Sequence, residues 1–426
     1  MGPVLGPRRY GRSDGQFSGQ SSGHTGGAIA YTSSVRAYEQ SHPWIDFEAT
    51  DVNDVQPRHW MLLGEARSKC EHLAGAPLQP RLSEILYRIT LVKGALATTA
   101  IEGNTLTTEE AEGILDGSFT APPSRQYQET EVRNVLDALQ SLAGQIIDGS
   151  PVEISFTLIC QFNSQMLKGT DFRPGVVPGE IRTGSVAVGT YRAAPAEDCE
   201  YLLRRLVDWL NGPIFKSDDP EIQFALILAK AVYAHLYLAW IHPFGDGNGR
   251  TARLMEFAIL ANCGVVPIPA AHLLSNHYNL TRDRYYRELS LASKPGQSTL
   301  GFLRYAIEGF IDGLREVIGM VRDQQLQVAW VNYVHERFAE MPNTTASDRQ
   351  RSLVLAMPRE QTIPRADLEG LTRKIARLYA AAGPRTLSRD LNRLMDLGLI
   401  RRVRGGYRSR HEVVQAFLPP IAPTEP

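Results

Sequence analysis

The residues best suited to chemistry lie in one short glycine-rich segment, residues 242–253. It contains Gly245, Gly247 and Gly249 and runs into an apolar, helix-like pattern. Where a loop opens a helix, free backbone N–H groups and the positive end of the helix dipole face the same point. The segment therefore predicts a binding site for an anion such as phosphate.

The polar side chains of this segment could supply the other groups needed for attack on phosphorus. Arg250 and Arg253 are three residues apart, so they share one face of a helix and could each pair with phosphate oxygens. Asp246 is a hard oxygen ligand for Mg²⁺, and Asn248 could donate a hydrogen bond to the phosphate. His242 is of the residue type whose pKa lies near neutral pH, so it could take a proton from an attacking hydroxyl. This set favours in-line attack on a nucleotide phosphate.

Two buried helices are predicted to hold the segment between them. Asp219 and Pro220 are a favourable N-cap and first-turn pair for the first helix. The second helix is expected to begin near Gly249 and to end at Cys263–Gly264. Residues 224–241 are strongly apolar, but a lysine and a histidine interrupt them, which favours a buried helix over a membrane span.

An earlier pair of helices is expected to meet at residues 101–104. The first has apolar residues at three- and four-residue spacing: Leu82, Ile85, Leu86, Ile89 and Val92. It should stop near Gly103–Asn104. Thr107 and Glu110 then form a capping box that starts the second helix. This arrangement places Glu102 at a helix end.

A short β-hairpin is predicted between residues 174 and 195, where the composition changes to Gly, Val and Thr. Residues 185–189 alternate like a strand. If the edge of this strand is open, a loop of a target protein could add to it by main-chain pairing. The sequence does not reveal which protein that would be.

Residues 242–253 resemble the complete signature of the Fic family: His, any, Phe, any, Asp or Glu, Gly, Asn, Gly, Arg, two variable residues, Arg. Every fixed position matches. Residues 178–182 and the hairpin after them resemble the flap of that family, and the resemblance covers roughly residues 55–315. It implies a mainly α-helical bundle with a short β-hairpin flap, which transfers AMP from Mg-ATP to a Tyr, Thr or Ser hydroxyl of a target protein.

The resemblance also implies a role for each residue of the loop, with Phe244 as a core anchor. The other roles are general base for His242, Mg²⁺ ligand for Asp246, ATP contacts for Gly245, Gly247, Asn248 and Gly249, and nucleotide phosphate ligands for Arg250 and Arg253. Residues 282–286 resemble a segment near the adenine pocket, which makes Tyr285 a further ATP candidate. A homodimer is expected by analogy with the family alone.

A second resemblance concerns regulation. Thr98, three variable residues, then Glu102–Gly103 resemble the inhibitory-helix motif of the family, placed before the core. A glutamate at a helix end could pair with Arg253 and remove the cation that should hold the γ-phosphate. We therefore expect the isolated protein to be weakly active because Glu102 inhibits it.

Two alternative functions use the same chain differently. In the first, Glu102 aligns a water that removes AMP from a modified protein, so the same site is a de-AMPylase. In the second, the Fic core senses nucleotide and the C-terminal region binds DNA as a regulator. Another nucleotide donor in place of ATP also stays open.

The C-terminal region is dense in arginine and predicts a winged helix-turn-helix over residues 350–418. Residues 386–397 should be a helix stopped by Gly398, followed by a hairpin with a turn at Gly405–Gly406. Arg389 and Arg393 are one turn apart on the expected recognition helix, so they are the DNA-binding candidates.

Bulk composition limits the remaining possibilities. The formal net charge of −1 excludes a globally basic nucleic-acid coat. The four cysteines form no CxxC pair, and no apolar run follows the N-terminal arginines, so we expect a cytoplasmic protein without membrane insertion. The expected segments are a flexible N-terminus 1–40, a helical region with the inhibitory helix 41–150, the Fic core 151–315, a connecting helix and linker 316–349, the winged helix-turn-helix 350–418, and a flexible tail 419–426.

Overall fold

A computed structural model of the protein describes residues 35–49, 56–78, 80–189 and 191–415. Most of the expected N-terminal segment, residues 1–34, and the whole expected tail, residues 419–426, lie outside the described residues. The described chain is mainly α-helical with two small antiparallel hairpins. The predicted fold class is therefore confirmed.

The helices are α1 Ala37–Ser41, α2 Pro57–Gly75, α3 Pro80–Ala100, α4 Thr108–Asp116, α5 Gln126–Ile147, α6 Phe156–Met166, α7 Cys199–Asn211, α8 Pro220–Ile241, α9 Asn248–Ala261, α10 Leu273–Leu280, α11 Arg282–Ala292, α12 Leu300–Ala339, α13 Thr345–Ala356, α14 Arg373–Ala380 and α15 Thr386–Asp396. The strands are β1 Ala187–Val188, β2 Tyr191–Arg192, β3 Ile400–Val403 and β4 Gly406–Ser409.

The turn between α3 and α4 is set by local hydrogen bonds. The Thr107 hydroxyl accepts from the Glu110 N–H at 3.2 Å, and the Glu110 carboxylate accepts from the Thr107 N–H at 2.9 Å. The predicted capping box is thus present, and a cap of this kind typically stabilises a helix by about 1 kcal/mol. Gly103 takes φ 100°, so α3 ends and Glu102 stands in the turn, as the sequence predicted.

Helices α8 and α9 form the centre of the main core. The Asp219 carboxylate accepts from the N–H groups of Glu221 and Ile222 at 2.7 and 3.2 Å, which confirms the predicted cap of α8. By length and composition α8 is the one described helix that could cross a membrane, but most of its side chains are buried against other helices. Helix α9 ends at Ala261, slightly before the predicted Cys263–Gly264.

The predicted hairpin is present as β1 and β2, which pair Val188 with Tyr191 and Ala187 with Arg192. An isolated antiparallel bridge between Ile181 and Phe244 joins the segment before this hairpin to the glycine-rich loop. We call residues 174–195, which include the hairpin, the flap. This bridge fixes the flap to the glycine-rich loop.

The predicted boundaries around the second half of the chain shift in the structure. Helix α12 runs unbroken through the expected boundary at residue 315 because its apolar face continues from the main core into a second core that contains Trp330 and Val334. Thr344 caps α13, so residues 345–349 are helical, and α13 contributes Leu353 and Val354 to this second core. Likewise α1 begins at Ala37, inside the segment expected to be flexible.

The C-terminal module consists of α13, α14, α15 and the hairpin of β3 and β4, and the winged helix-turn-helix stays a prediction. A single bridge pairs Ile363 with Tyr407 of the hairpin. The carboxylate of Asp390, which is 2% exposed, accepts hydrogen bonds from Arg349 at 2.7 Å and from Tyr379 at 3.0 Å. These contacts fix α15 against α13 and α14.

Candidate active site

The glycine-rich segment is a tight loop between the end of α8 and the start of α9. His242 follows α8 with φ 50° and ψ 57°, a left-handed conformation that costs a non-glycine residue about 1–3 kcal/mol. Gly247 turns the chain with φ 74° and Asn248 begins α9. The histidine and the helix N-terminus are therefore held by the same short loop.

Arg182 of the flap stabilises the strained start of the loop. Its Nε donates to the His242 carbonyl at 2.8 Å and its Nη2 donates to the Ala194 carbonyl, while its backbone N–H donates to the Pro243 carbonyl at 3.0 Å. The side chain is buried. Sequence reasoning placed Arg182 in the flap but did not find this role, which depends on backbone carbonyls that carry no sequence signal.

Asn248 closes the loop with its side chain. Its Oδ1 accepts from the Phe244 N–H at 2.9 Å, and its Nδ2 donates to the Phe244 carbonyl at 2.8 Å. One N–H of the Nδ2 group is thus used inside the loop, and donation of its second N–H to a phosphate stays a prediction. The prediction for Phe244 is confirmed, since its ring is 1% exposed and anchors the loop in the core.

The three glycines of the loop have different neighbours. A Cβ on Gly245 would lie 2.7 Å from Val176 of the flap, and a Cβ on Gly247 would lie 3.0 Å from the amide of Asn163. A Cβ on Gly249 would instead collide with the carboxylate of Glu102. Gly245 and Gly247 thus let other parts of the chain pack on the loop, whereas the space beside Gly249 is where an anionic group lies.

Asn163 on α6 is a positioning residue that sequence reasoning missed. Its Nδ2 donates to the Asp246 carbonyl at 2.8 Å, and its Oδ1 accepts from the Gly179 N–H of the flap at 2.9 Å. The side chain is fully buried. One asparagine thus ties helix, loop and flap together, and only its place on the buried face of α6, beside Ile159, Phe162 and Met166, could have hinted at this.

Glu102 and Arg253 form the ion pair that the sequence predicted. Glu102 Oε1 lies 2.6 Å from Arg253 Nη2, and the same nitrogen donates to the Thr98 carbonyl at 2.9 Å. Thr98 thus contributes its backbone. Partial burial alone would raise the pKa of Glu102, but the positive charges of Arg253 and Arg250 lower it below its ordinary value, so Glu102 is ionised at neutral pH.

Arg250 is not free, which the sequence did not foresee. Its Nη1 donates to Glu131 of α5 at 3.0 Å, and the other Glu131 oxygen accepts from Asn104 at 3.2 Å. Arg250 also lies 3.6 Å from Asp246. To bind a phosphate as the sequence predicts, Arg250 would have to exchange Glu131 for it or bind both. No spacing along the chain could have indicated Glu131.

His242 is set to act as a base. Burial lowers its pKa to about 4, and the charge of Arg182 acts in the same direction, while a hydrogen bond from the ring to the backbone of Ala239 and the carboxylates of Glu102 and Asp246 oppose the shift. The expectation of a pKa near neutral pH is therefore wrong. The imidazole is neutral at pH 7, which is the form that accepts a proton.

Asp246 has one oxygen available for a cation. Its Oδ1 accepts from the Gly247 N–H, and its Oδ2 accepts nothing from the described residues. Over the described ranges no group of three His, Cys, Asp or Glu side chains could hold a metal by itself. A Mg²⁺ ion here would need nucleotide phosphates and water as its other ligands, which is its usual mode of binding.

Tyr285 belongs to the core rather than to an open pocket. It is 4% exposed, its hydroxyl is 2.9 Å from His235 Nε2, and its ring stacks on Tyr278 at 4.9 Å. Its neighbour Tyr286 is 41% exposed. The hydroxyl of Tyr285 is thus already paired in the core, and its contact with ATP stays a prediction.

The two DNA-binding candidates lie outside this site. Arg389 and Arg393 are exposed on α15. Neither forms an ion pair with any acid in the part of the chain that the structure describes.

The fold and the site together define a helical protein with a buried histidine beside a helix N-terminus at which the Glu102 carboxylate lies. Residues 153–260 match the model of the Fic/DOC family. The structure is similar to a crystal structure of a Fic family protein from Desulfovibrio desulfuricans, with a TM-score of 0.51 and 22% identity, over 85% of this chain and 98% of that chain. This likeness shows the shared fold. Residues 153–260 are therefore similar to the Fic/DOC family.

The chain is also similar to proteins named as adenylyltransferases and to a solved Fic-1 structure. The chain is 31% identical over 301 residues to protein adenylyltransferase fic-1 of Caenorhabditis briggsae, which covers 71% of this chain and 53% of that protein. A structure of Fic-1 from C. elegans has a TM-score of 0.51 and 26% identity over 62% of this chain and 72% of that chain. The chain spans about half the length of the first of these relatives.

Proposed function

We propose that this protein transfers AMP from Mg-ATP to a Tyr, Thr or Ser hydroxyl of a target protein. The observation that carries the proposal is the position of the Glu102 carboxylate, which lies beside Gly249 at the N-terminus of α9 and pairs with Arg253. The protein's own carboxylate thus lies where the loop should hold a nucleotide phosphate. The named adenylyltransferase relatives support the reaction class.

The chemistry follows from the groups on the loop. The target hydroxyl oxygen attacks the α-phosphorus of ATP while neutral His242 takes the hydroxyl proton. The new O–P bond forms as the bond to the β-phosphate oxygen breaks, and pyrophosphate leaves. Arg253 and the N-terminus of α9 stabilise the phosphates. Mg²⁺, held by Asp246, would neutralise phosphate charge when bound.

Glu102 inhibits this reaction as the chain stands. Its carboxylate occupies Arg253, so a γ-phosphate at that position would meet a negative charge in place of a free guanidinium. The reverse reaction is the second use of the same site: with Glu102 retained, its carboxylate would orient a water that removes AMP from a modified target.

The test compares wild type, Glu102→Gly, His242→Ala and the double variant, each incubated with Mg²⁺ and α-labelled ATP. Protein-bound label in Glu102→Gly that disappears in the double variant supports AMP transfer with His242 as its base. No label in any sample, although ATP binds, counts against transfer. Release of AMP from a modified protein by wild type would then favour the reverse reaction.

We also propose that the C-terminal module contacts DNA. The exposed, unpaired Arg389 and Arg393 on α15 support this second function, since arginines on such a helix can reach base edges in the major groove. A mobility shift at several salt concentrations tests it, with Arg389→Ala/Arg393→Ala expected to bind more weakly. The control, Arg204→Ala/Arg315→Ala, removes equal charge from exposed arginines of the other helices. Equal binding by all three proteins would contradict it.

A homodimer and a cytoplasmic location are further proposals. The first comes from the family resemblance and is tested by sedimentation velocity at several protein concentrations. The second comes from the composition and is tested by cell fractionation.

A further inference from the structure

A fully buried polar cluster lies one helical turn beyond Arg253 on α9. Glu256 is 1% exposed and His235 of α8 is 0% exposed. Tyr278 of α10 and Tyr285 of α11 complete the cluster. Charged or polar groups this deeply buried are retained only where hydrogen bonds satisfy them.

Two atoms of the cluster face each other without other partners. The Tyr278 hydroxyl donates to Glu256 Oε1 at 2.8 Å, and His235 Nε2 is 2.9 Å from the Tyr285 hydroxyl. The remaining atoms, Glu256 Oε2 and His235 Nδ1, are 3.7 Å apart, and neither has a hydrogen-bond partner among the described residues. A proton on Oε2 directed at Nδ1 would satisfy both atoms after a small approach.

We propose that Glu256 and His235 form a neutral pair, in which protonated Glu256 donates to His235 Nδ1, and that this leaves the positive charge of Arg253 for Glu102 or a nucleotide phosphate. The part of this proposal that concerns a nucleotide phosphate rests on the proposed function. Glu256 acts here as a positioning residue, because its effect on the ligand passes through Arg253.

The charges around Arg253 explain why neutrality matters. Within 4.0 Å, Glu102 is the one acid that pairs with Arg253 in the described part of the chain. An ionised Glu256 would add a second negative charge one turn away in a buried, weakly screened position. Its attraction for Arg253 and its repulsion of a phosphate would weaken nucleotide binding by on the order of tenfold or more.

The pair is expected to lose its proton within an accessible pH range. Burial raises the pKa of Glu256 to about 8 and lowers the pKa of His235 to about 3. Among the described groups that face it, burial raises the pKa values of Tyr278, Tyr285 and Tyr305.

The charged groups nearby do not titrate in that range either. Burial alone would lower the pKa of Arg253, but the Glu102 carboxylate raises it, so Arg253 stays charged. Burial alone would raise the pKa of Glu102, but Arg253 and Arg250 lower it. Among these groups Glu256 alone changes charge between pH 7 and pH 9.

The first experiment detects the proton itself. Infrared spectra at pH 7 of wild type minus Glu256→Gln should show the carbonyl band of a protonated carboxylic acid, and the band should disappear by pH 10. The control Glu112→Gln removes an exposed carboxyl and should leave the band in place. A missing band at pH 7 overturns the proposal whether or not the protein binds ATP.

The second experiment tests the link to Arg253. In the Glu102→Gly background, which frees Arg253, the Kd for Mg-ATP should rise about tenfold from pH 7 to pH 9. Adding Glu256→Gln should remove this rise, because the amide can donate to His235 and accept from Tyr278 as protonated Glu256 does. An equal rise in both proteins overturns the link. If the infrared band is present but ATP does not bind at any pH, the neutral pair stands. That result would overturn the proposed link between the pair and the phosphate, and the proposed function as well.

Discussion

Glu102 Oε1 lies 2.6 Å from Arg253 Nη2 although 151 residues separate them in the chain. The same carboxylate lies where a Cβ on Gly249 would be. The Glu102 side chain therefore pairs with the cation, Arg253, and lies at the helix N-terminus, and an incoming phosphate needs both. Inhibition and nucleotide binding compete for one position, and this competition underlies the first predictions.

Glu102→Gly is expected to increase AMP incorporation at least tenfold, because it frees Arg253 for the γ-phosphate. The rate of label transfer from α-labelled ATP measures the effect. Glu102→Gln, which keeps the size of the side chain and loses its charge, should give an intermediate increase. Equal rates for all three proteins at saturating ATP would contradict inhibition by this carboxylate.

At saturating Mg-ATP, the rate of transfer should be insensitive to pH between about 6 and 8 and should fall as the pH drops toward 4. Only neutral His242 can accept the hydroxyl proton, and burial lowers its pKa to about 4. Because the Glu102 carboxylate opposes that shift, Glu102→Gly should move the acidic limb to still lower pH. A limb centred near pH 6.5 would argue against His242 as the buried base.

Gly249→Ala should weaken ATP binding more than tenfold and should not activate the protein. The new Cβ displaces the Glu102 carboxylate but also fills the space where the phosphate would lie. Isothermal titration calorimetry with Mg-ATP measures the affinity. Gly144→Ala on α5, where a Cβ would meet nothing within 4 Å, is the control and should bind ATP normally. Normal binding by both variants would place the phosphate elsewhere.

Asp390→Ala should destabilise the C-terminal module by about 3–5 kcal/mol, because it leaves the partly buried Arg349 without its counter-charge. Hydrogen exchange of α13 to α15 should become faster while exchange of α8 and α9 stays unchanged. The exposed Asp396→Ala on the same helix is the control. Faster exchange across the whole chain would show instead that α12 couples the two cores into one unfolding unit.

Some features of this protein could be derived from the sequence because local interactions produce them. The capping box of Thr107 and Glu110, the Asp219 cap and the turn at Gly247 each involve residues within four positions of one another. The residues of the signature motif, His, Phe, Asp, Gly, Asn, Gly and Arg, lie on one loop. The motif could therefore be recognised without knowledge of distant contacts. The resemblance to the inhibitory-helix motif of the family also supplied Glu102 as the partner of Arg253, which spacing alone could not.

Other features were decided by the tertiary structure. Glu131 reaches Arg250 across 119 residues, and Glu256 meets His235 and Tyr278 only because α8, α9 and α10 pack together. Asn248 turned inward because the buried backbone of Phe244 needed hydrogen bonds. Burial, which depends on every neighbouring helix, moved the pKa of His242 from near neutral to about 4. Sequence thus determined which chemical groups are present and how the chain turns locally, whereas packing determined their charge and their partners, since desolvation and Coulomb interactions depend on distances through space.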